Sequence, residues 1–250
     1  MVQLDGTVIA VIPARWASTR FPGKPLAQIA GEPMIAHVIR RAAAARAIDE
    51  VVVATDDSRI AHAAEAAGAT AVMTGECRSG TDRVAEALRS RSNWMLAINV
   101  QGDEPLLSSR NIDTLVEGMV ERSDVEMGTL CRPLAIDRLG DPNAVKVVRG
   151  LDGRALYFSR APIPFNRDSS GSEAGALLHL GIYAFTRQGL EQFVDLGPSP
   201  LEMTESLEQL RALENGMDIL VLDAPDEAIG VDTPEDLQRV ERMLAAETRG

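Results

Sequence analysis

The sequence predicts an α/β fold in which crossover helices connect the strands of a mostly parallel sheet. Apolar, β-branched runs alternate with stretches of helical periodicity, as parallel strands and their crossovers do. With 250 residues and 45% hydrophobic content, the chain suits a single domain, 1–250, with no interdomain linker. From about residue 141 to residue 186 the pattern changes to short paired strands. This change predicts an inserted antiparallel element.

Periodicity and turn residues place each element in order. The predicted strands are Val8–Ile12, Val51–Ala54, Thr70–Met73, Trp94–Val100, Met127–Cys131, Val145–Val148, Ala155–Phe158, His179–Phe185 and Asp218–Leu222. Five helices are predicted. The first is Pro33–Arg46, the second is capped by Ser58 and ends at Gly68, and the third begins at Ser79–Arg83 and runs through Leu88. The fourth is Pro200–Glu214, and the last is capped by Thr233. The polar segment Asn166–Ala176 is predicted to be a mobile loop.

Helix ends are predicted from residues with a known capping role. Pro33 suits a first helical position, and Gly68 suits a stop. Before the last helix, Thr233 is the expected N-cap, with a proline at N1 and Asp236 at N3. Asp232 has no capping role, so we expect it to face the functional site.

Charge and cysteine content narrow the class of protein. A net charge of −12 argues against nucleic acid or an anionic membrane as the main partner. Cys77 and Cys131 have no zinc-site spacing and no disulfide framework, so we expect two reduced core residues. With no signal sequence or membrane-spanning run in view, the expected location is the cytoplasm. His37 and His62 lie on predicted helices without companion ligands and are expected to be surface or satisfied core residues.

The loop after the first strand concentrates positive charge on an acidic protein. Arg15, Arg20 and Lys24 lie within one short segment, where guanidinium and ammonium groups suit a polyphosphate. Gly23 would allow a sharp turn or close approach of the backbone to the anion. The glycine spacing does not fit an ordinary P-loop. A solvated basic loop that covers the strand end is the alternative.

Two further segments carry candidate ligand groups. Ser79–Arg83 opens a helix, whose N-terminus can bind an anionic ligand or can be a plain cap. Asp103 and Glu104 follow a buried strand, where carboxylates can hold Mg²⁺ together with phosphate oxygens and waters. An Asx-type turn closed by Pro105 is the alternative there. The acidic residues of Pro200–Glu214 are mostly interpreted as a solvated face.

Taken together, the chain resembles the 3-deoxy-manno-octulosonate (Kdo) cytidylyltransferases, or CMP-Kdo synthetases, from about Val8 to Arg242. The resemblance rests on ordered motifs: IPARWASTRFPGKPL, VVVATDD, SGTDRVAE, INVQGDEP, PNAVKVV, ALYFSRAPIP, HLGIYAF, LEMTESLEQLR and GVDTPEDL. It implies a three-layer α/β/α nucleotidyltransferase fold that is dimeric through the inserted antiparallel strands. The implied reaction is CTP plus Kdo giving CMP-Kdo and pyrophosphate, for lipopolysaccharide biosynthesis.

The resemblance also implies site residues, carried over motif by motif. CTP would contact Ala14, Arg15, Ser18, Thr19, Arg20, Lys24, Ser79, Gly80 and Arg83. Mg²⁺ would be held by Asp103 and Asp232, which with Arg15 and Lys24 form the implied catalytic set. Kdo would contact Gln101, Arg160, Arg167, His179, Tyr183, Glu208 and Gln209. The loop after Arg167 is shorter than in the family, and LEMTESLEQLR begins differently from the usual family string.

In the implied reaction, the anomeric hydroxyl of a sugar acid attacks the α-phosphorus of CTP. Two anions meet, so charge neutralisation and positioning would supply most of the catalysis. No side chain stands out as an obligatory general base, and we expect the metal to lower the pKa of the hydroxyl. Arg160 and His179 are candidate partners of the Kdo carboxylate. A cytidylyltransferase for sialic acid or an amino analogue of Kdo, and a non-catalytic nucleotide sensor, are the alternatives.

Overall fold

A computed structural model describes residues 6–17, 21–167, 175–231 and 233–247. The strands are Thr7–Ala14 (β1), Gln28–Ile29 (β2), Glu32–Pro33 (β3), Glu50–Thr55 (β4), Thr70–Met73 (β5), Trp94–Asn99 (β6), Met127–Pro133 (β7), Lys146–Arg149 (β8), Ala155–Ser159 (β9), Leu177–Thr186 (β10) and Ile219–Asp223 (β11). The helices are Met34–Ala43 (α1), Ser58–Ala66 (α2), Gly80–Leu88 (α3), Ser109–Glu121 (α4), Arg187–Asp195 (α5), Pro200–Glu205 (α6), Leu210–Glu214 (α7) and Pro234–Glu247 (α8).

The central sheet has the strand order β11-β7-β10-β6-β1-β4-β5, with β8 and β9 attached to β10. β1 pairs in parallel with both β4 and β6, and β11 pairs in parallel with β7. Only β10 runs against its neighbours β6 and β7 within the main row of described strands. The prediction of a mostly parallel sheet is confirmed. The carboxyl ends of β1, β4 and β6 therefore meet the amino end of β10 at one edge.

Helices cover both faces of this sheet. Along β1, Val8, Ala10 and Ile12 belong to the core layer formed with α1, α2 and α4. The alternate residues Ile9 and Val11 point into the opposite layer, formed with α3, α5 and α7. Continuous apolar sequence in β1 is explained by this burial on both faces. The three-layer α/β/α arrangement is thus confirmed.

The inserted antiparallel element is confirmed, although its placement differs from the expected one. β8 and β9 form the predicted hairpin, with Val147 opposite Phe158. The strand that follows, β10, is not peripheral, because it lies in the middle of the main sheet between β6 and β7. Of the predicted mobile loop, residues 168–174 lie outside the described part of the chain, so its mobility stays a prediction.

Three predicted helices differ from the observed ones in their ends or in their continuity. Pro33 belongs to the short strand β3 and occupies the N-cap position of α1, which ends at Ala43. Asp57, rather than Ser58, caps α2 through a hydrogen bond to the Arg59 N–H. Pro200–Glu214 is two helices because Ser206 adopts a left-handed conformation, with φ of 51°. No helix is predicted from the sequence where α4 and α5 lie.

Other local predictions hold. Ser79 caps α3, and β5 has the predicted bounds Thr70–Met73. Thr233 and Asp236 exchange hydrogen bonds at the start of α8, as an N-cap and N3 pair should. In the described part of the chain, no helix combines the length and the apolar character needed to span a membrane.

Candidate active site

The edge where β1 and β6 end contains a cleft of about 360 Å³. It is lined by Pro13, Ala14, Arg15, Lys24, Pro25, Cys77, Arg78, Ser79, Gly80, Arg83, Gln101, Gly102, Asp103 and Glu208. Nine of the residues predicted for CTP, metal or sugar are in this group. Ser18, Thr19, Arg20 and Asp232 lie outside the described residues, so their roles stay predictions.

A lysine and an aspartate from distant parts of the chain pair in the cleft. Lys24 Nζ donates to Asp103 Oδ2 at 2.6 Å. Their segments meet because Gly102 lies against Pro13, where a Cβ atom at position 102 would be 3.1 Å from the Pro13 carbonyl oxygen. The Val231 N–H donates to the Asp103 carbonyl at 2.8 Å, which ties the chain before α8 to the same point. The cleft therefore offers both a cation and a carboxylate to a ligand.

Ser79 has two structural tasks at the start of α3. Its hydroxyl oxygen accepts from the Asp82 N–H at 3.1 Å, and the hydroxyl donates to Glu208 Oε1 at 3.0 Å. Beneath it, the Asn99 amide donates to Thr81 Oγ1 at 3.1 Å. The helix N-terminus that faces the cleft is thus held from both the sheet and the turn containing Glu208, and it offers a positive dipole end to an anion.

Arg83 extends from α3 to the ends of β4 and β5. Its guanidinium donates to Asp56 Oδ2 at 2.8 Å, to the Thr74 hydroxyl, and to the Gly75 carbonyl at 3.4 Å. Only 4% of the residue is exposed. The Arg83 guanidinium therefore lines the cleft and also fixes the β5–α3 loop, which forms one wall of the cleft.

The break between α6 and α7 brings Glu208 to the cleft. Next to the left-handed Ser206, the Glu205 carboxylate accepts from the Ser159 hydroxyl at 2.5 Å and from the Arg160 N–H at 2.9 Å. These bonds attach the end of α6 to the end of β9. Burial raises the pKa of Glu208, and hydrogen bonds from Thr81 and Ser79 partly offset this.

Two arginines predicted to contact sugar lie outside the cleft lining. The Arg160 guanidinium donates to the backbone carbonyls of Glu205, Pro142 and Ser206 at 2.7, 2.9 and 3.2 Å. In this state Arg160 holds the break between the two helices in place. Arg167 is exposed at the last described position before residue 168.

His179 is buried on β10 and is 8% exposed. Thr129 Oγ1 lies 2.7 Å from the Ile182 carbonyl oxygen and 3.0 Å from His179 Nε2. A hydroxyl that donates to the carbonyl accepts from the ring, so we assign the proton to Nε2. Burial lowers the pKa of His179 to about 3. The ring is therefore neutral at neutral pH, where it can act as a neutral group but not as a cationic partner for a carboxylate.

Of the remaining sugar candidates, Tyr183 is half-buried and lies near Glu208 and Glu104. Burial, together with the nearby Glu208 and Glu104, raises the pKa of Tyr183 well above its usual value. Burial and the Asp103 carboxylate raise the pKa of Glu104 to about 8. Gln209 is buried at the start of α7. These side chains carry hydroxyl, carboxyl and amide groups, which suit the hydroxyls of a sugar.

Comparisons with known proteins decide the family. Residues 9–219 match the family model described as cytidylyltransferase. A 3-deoxy-manno-octulosonate cytidylyltransferase of Anaeromyxobacter sp. (strain Fw109-5) is 54% identical over 243 residues, 97% of this chain and 98% of that protein. This chain belongs to the 3-deoxy-manno-octulosonate cytidylyltransferase family. The resemblance inferred from its motifs is confirmed.

Two further relatives agree with this assignment. The cytidylyltransferase of the same name from Geobacter sulfurreducens is 49% identical, covering 95% of this chain and 99% of that protein. A solved CMP:2-keto-3-deoxy-manno-octonic acid synthetase complexed with CTP superposes with a TM-score of 0.91 at 41% identity. That likeness covers 96% of this cytidylyltransferase and 99% of the solved chain.

The buried imidazole predicts an acid-sensitive contribution to stability. The folded-state pKa of His179, about 3, lies below the usual histidine value of 6.5, so between these values the unfolded chain takes up a proton that the folded chain does not. Stability from this group falls as pH decreases from 6.5, by up to about 1.4 kcal/mol per pH unit. Urea unfolding of wild type and His179→Gln at pH 6.5 and 4.5 measures it. The variant should lose about 2 kcal/mol less across this interval, and equal losses would contradict the assignment.

Several residues that shape the site were missed by sequence reasoning. Asp56 follows a predicted strand, Glu205 belongs to the acidic residues of a predicted helix, and no local signal distinguishes either from its neighbours. Cys131 is buried as expected, whereas Cys77 is not a core residue. Cys77 is half-buried in the cleft wall, and its thiol donates to Glu86 Oε2 at 3.2 Å. Burial raises the pKa of this thiol to about 11, so it stays protonated.

Proposed function

We propose that this chain transfers CMP from CTP to the anomeric hydroxyl of Kdo and releases pyrophosphate. The observation that carries the proposal is the cleft where Lys24, Asp103 and Ser79 converge. In it, Lys24 Nζ lies 2.6 Å from Asp103 Oδ2. The names of the relatives at 49–54% identity over nearly the whole chain support the choice of both substrates. The activity would make the protein a Mg²⁺-dependent transferase.

The nucleotide half of the cleft is positively charged. Arg15 and Lys24 would hold the triphosphate, since both line the cleft at the end of β1. The α3 N-terminus at Ser79 and Gly80 would add a dipole end, and Arg83 a third fixed cation. Charge that develops on the departing pyrophosphate would be offset by groups already in place, at little reorganisation cost.

Asp103 fits a role as a Mg²⁺ ligand. Its carboxylate faces the cleft, and its side chain is 38% exposed, so an ion could reach it when Lys24 moves to phosphate. One or two carboxylates suffice for Mg²⁺, which keeps waters and phosphate oxygens as its other ligands. Asp103, together with Asp232, would hold the ion. When bound, Mg²⁺ supplies Lewis-acid stabilisation of the triphosphate and lowers the pKa of an adjacent hydroxyl.

The sugar half would place the nucleophile. Gln101 and Glu208 line the same cleft as Lys24 and can bind sugar hydroxyls, and Tyr183 lies close to Glu208. Glu208 is hydrogen-bonded to Ser79, so sugar and nucleotide positions are mechanically linked. CTP and Kdo are both anions and repel each other in solution. When the site holds them in a fixed orientation, the bimolecular reaction becomes effectively unimolecular. Positioning is therefore the main contribution of these side chains.

A panel of sugar acids tests the proposal. The enzyme is incubated with CTP, Mg²⁺ and Kdo, an amino analogue of Kdo or sialic acid, while pyrophosphate release is followed. We expect the highest kcat/KM with Kdo. A preference for another sugar would reassign the substrate, and CTP binding without pyrophosphate from any sugar would indicate a nucleotide sensor instead.

We also propose a cytoplasmic homodimer, joined through the inserted strands, that acts in lipopolysaccharide biosynthesis. Among the described strands, β9 pairs with β8 alone, so its other edge is unpaired beyond the single bridge from Arg154 to Leu220. Leu151, Leu156 and Phe165 are exposed apolar side chains of the same element. Apolar exposure beside an open strand edge is typical of an interface. Sedimentation velocity should give twice the 26.9 kDa chain mass, and a monomer at micromolar concentration would contradict the dimer.

A further inference from the structure

The N-terminal loop is closed on itself beside the cleft. The Gly23 N–H donates to the Trp16 carbonyl at 3.1 Å, so the two limbs of the loop meet at this pair. Arg15 directly precedes one partner, and Lys24 directly follows the other. Both of these cations line the cleft. Whatever holds Trp16 against Gly23 therefore sets the spacing of the two cations.

The Trp16 indole lies directly on Gly23. Gly23 has φ of 70°, and a Cβ atom there would be 2.7 Å from a ring carbon of Trp16. The position thus needs glycine twice: for its left-handed backbone and for the space that the ring occupies. The close contact makes the indole part of the loop closure rather than a loose surface side chain.

An arginine from another element stacks on the same indole. Arg59 Cζ lies 3.4 Å from the centroid of the Trp16 ring. Its guanidinium is held by Asp57, with Nε 3.0 Å from Oδ1 and an Nη 2.6 Å from Oδ2. These bonds hold the pKa of Asp57 down at about 2, so the carboxylate stays charged. Asp57 also caps α2, so the guanidinium is fixed to the first turn of that helix.

We infer that Trp16 and Arg59 are positioning residues for the triphosphate-binding cations. The stack fixes the loop closure to α2 and thereby holds Arg15 and Lys24 at the spacing that the triphosphate needs. The inference rests on the proposed function for the identity of the ligand, CTP. Neither side chain touches substrate in this account. They act by preorganising charge, which otherwise would have to be ordered during binding.

Calorimetric titration with CTP in the absence of sugar tests this directly. Arg59→Gln should raise the Kd for CTP about fivefold, which corresponds to about 1 kcal/mol, the scale of one cation–π contact. Trp16→Leu should raise it at least as much, because it also removes the ring that lies on Gly23. Because both substitutions remove the same stacking contact, the Kd of the double variant for CTP should exceed the higher of the two single-variant values by no more than twofold. Arg59→Lys should restore only part of the affinity, since an ammonium stacks less well than a guanidinium.

Kinetics separate positioning from a merely structural role. In both single variants the KM for CTP should rise while kcat and the KM for Kdo stay within twofold. Arg187→Gln is the matched control, because Arg187 is a half-exposed arginine paired with Glu191 at 3.1 Å on α5. Arg187→Gln should change neither kcat nor the KM for either substrate. An unchanged Kd for CTP in both single variants, or independent effects that multiply in the double variant, would overturn the inference.

The titration needs no turnover, so its outcome is separate from that of the proposed function. An inactive wild type that still binds CTP, with weakened binding in Arg59→Gln, would contradict the transferase proposal and support the positioning role. An active enzyme with unchanged CTP binding in both variants would support the transferase proposal and contradict the positioning role.

Discussion

Asp103→Asn is expected to reduce kcat on the order of 10²- to 10³-fold, the scale of losing one group that stabilises transition-state charge. Asparagine keeps the size of the side chain and an oxygen that can accept from Lys24, which lies 2.6 Å away. It lacks the charge that would hold Mg²⁺. The CTP affinity measured with a chelator present should therefore stay within a few-fold of wild type. Pyrophosphate release and CTP titration measure the two quantities separately.

The control for this variant is another ion-paired aspartate. Asp223 binds Arg149 at 2.8 Å at the end of β11, outside the cleft lining. Asp223→Asn should leave kcat within twofold. Undiminished turnover in Asp103→Asn would remove Asp103 from the metal site and from the catalytic set.

Arg83→Met is expected to lower the free energy of unfolding by about 2–3 kcal/mol. The buried guanidinium leaves behind the Asp56 carboxylate, the Thr74 hydroxyl and the Gly75 carbonyl, all now without this donor. We place the loss below that of a fully buried pair because the Asp56 side chain is 35% exposed. Affinity for CTP should fall about tenfold as well, because one fixed charge and one wall of the cleft are lost. Urea unfolding and CTP titration measure the two effects.

Arg89→Met provides the comparison from the same helix. Arg89 is exposed at the end of α3. Its loss should change stability by no more than about 0.5 kcal/mol, as is usual for a surface substitution. Equal stability of Arg83→Met and Arg89→Met would show that the buried pair with Asp56 contributes nothing measurable.

Elements defined by local signals were predictable from the sequence. β5 and the Ser79 cap were placed correctly because a short apolar run and an N-cap hydroxyl are local features. The break at Ser206 was not predictable, since apolar residues continue at helical spacing through it. Bonds from Ser159 and Arg160 to Glu205 stabilise that break, and both donors lie 45 or more residues earlier in the chain.

The candidate site was predictable only in part for the same reason. Strand ends identified the edge at which Arg15, Lys24 and Asp103 collect, because parallel strands bring their carboxyl ends together. The pairs within the site are tertiary contacts. Lys24 and Asp103 are 79 residues apart, and Ser79 and Glu208 are 129 residues apart, so no spacing rule connects them. The stack of Arg59 on Trp16 had no sequence signal at all.

The central claim is that a sugar hydroxyl attacks the α-phosphorus of CTP in this cleft. Mass spectrometry of products formed from CTP, Mg²⁺ and Kdo labelled with oxygen-18 at the anomeric hydroxyl tests it most directly. We predict CMP-Kdo that carries the label in its sugar–phosphate bridge, and pyrophosphate without label. Formation of no CMP-sugar, or of CMP-sugar lacking the label, would contradict the account.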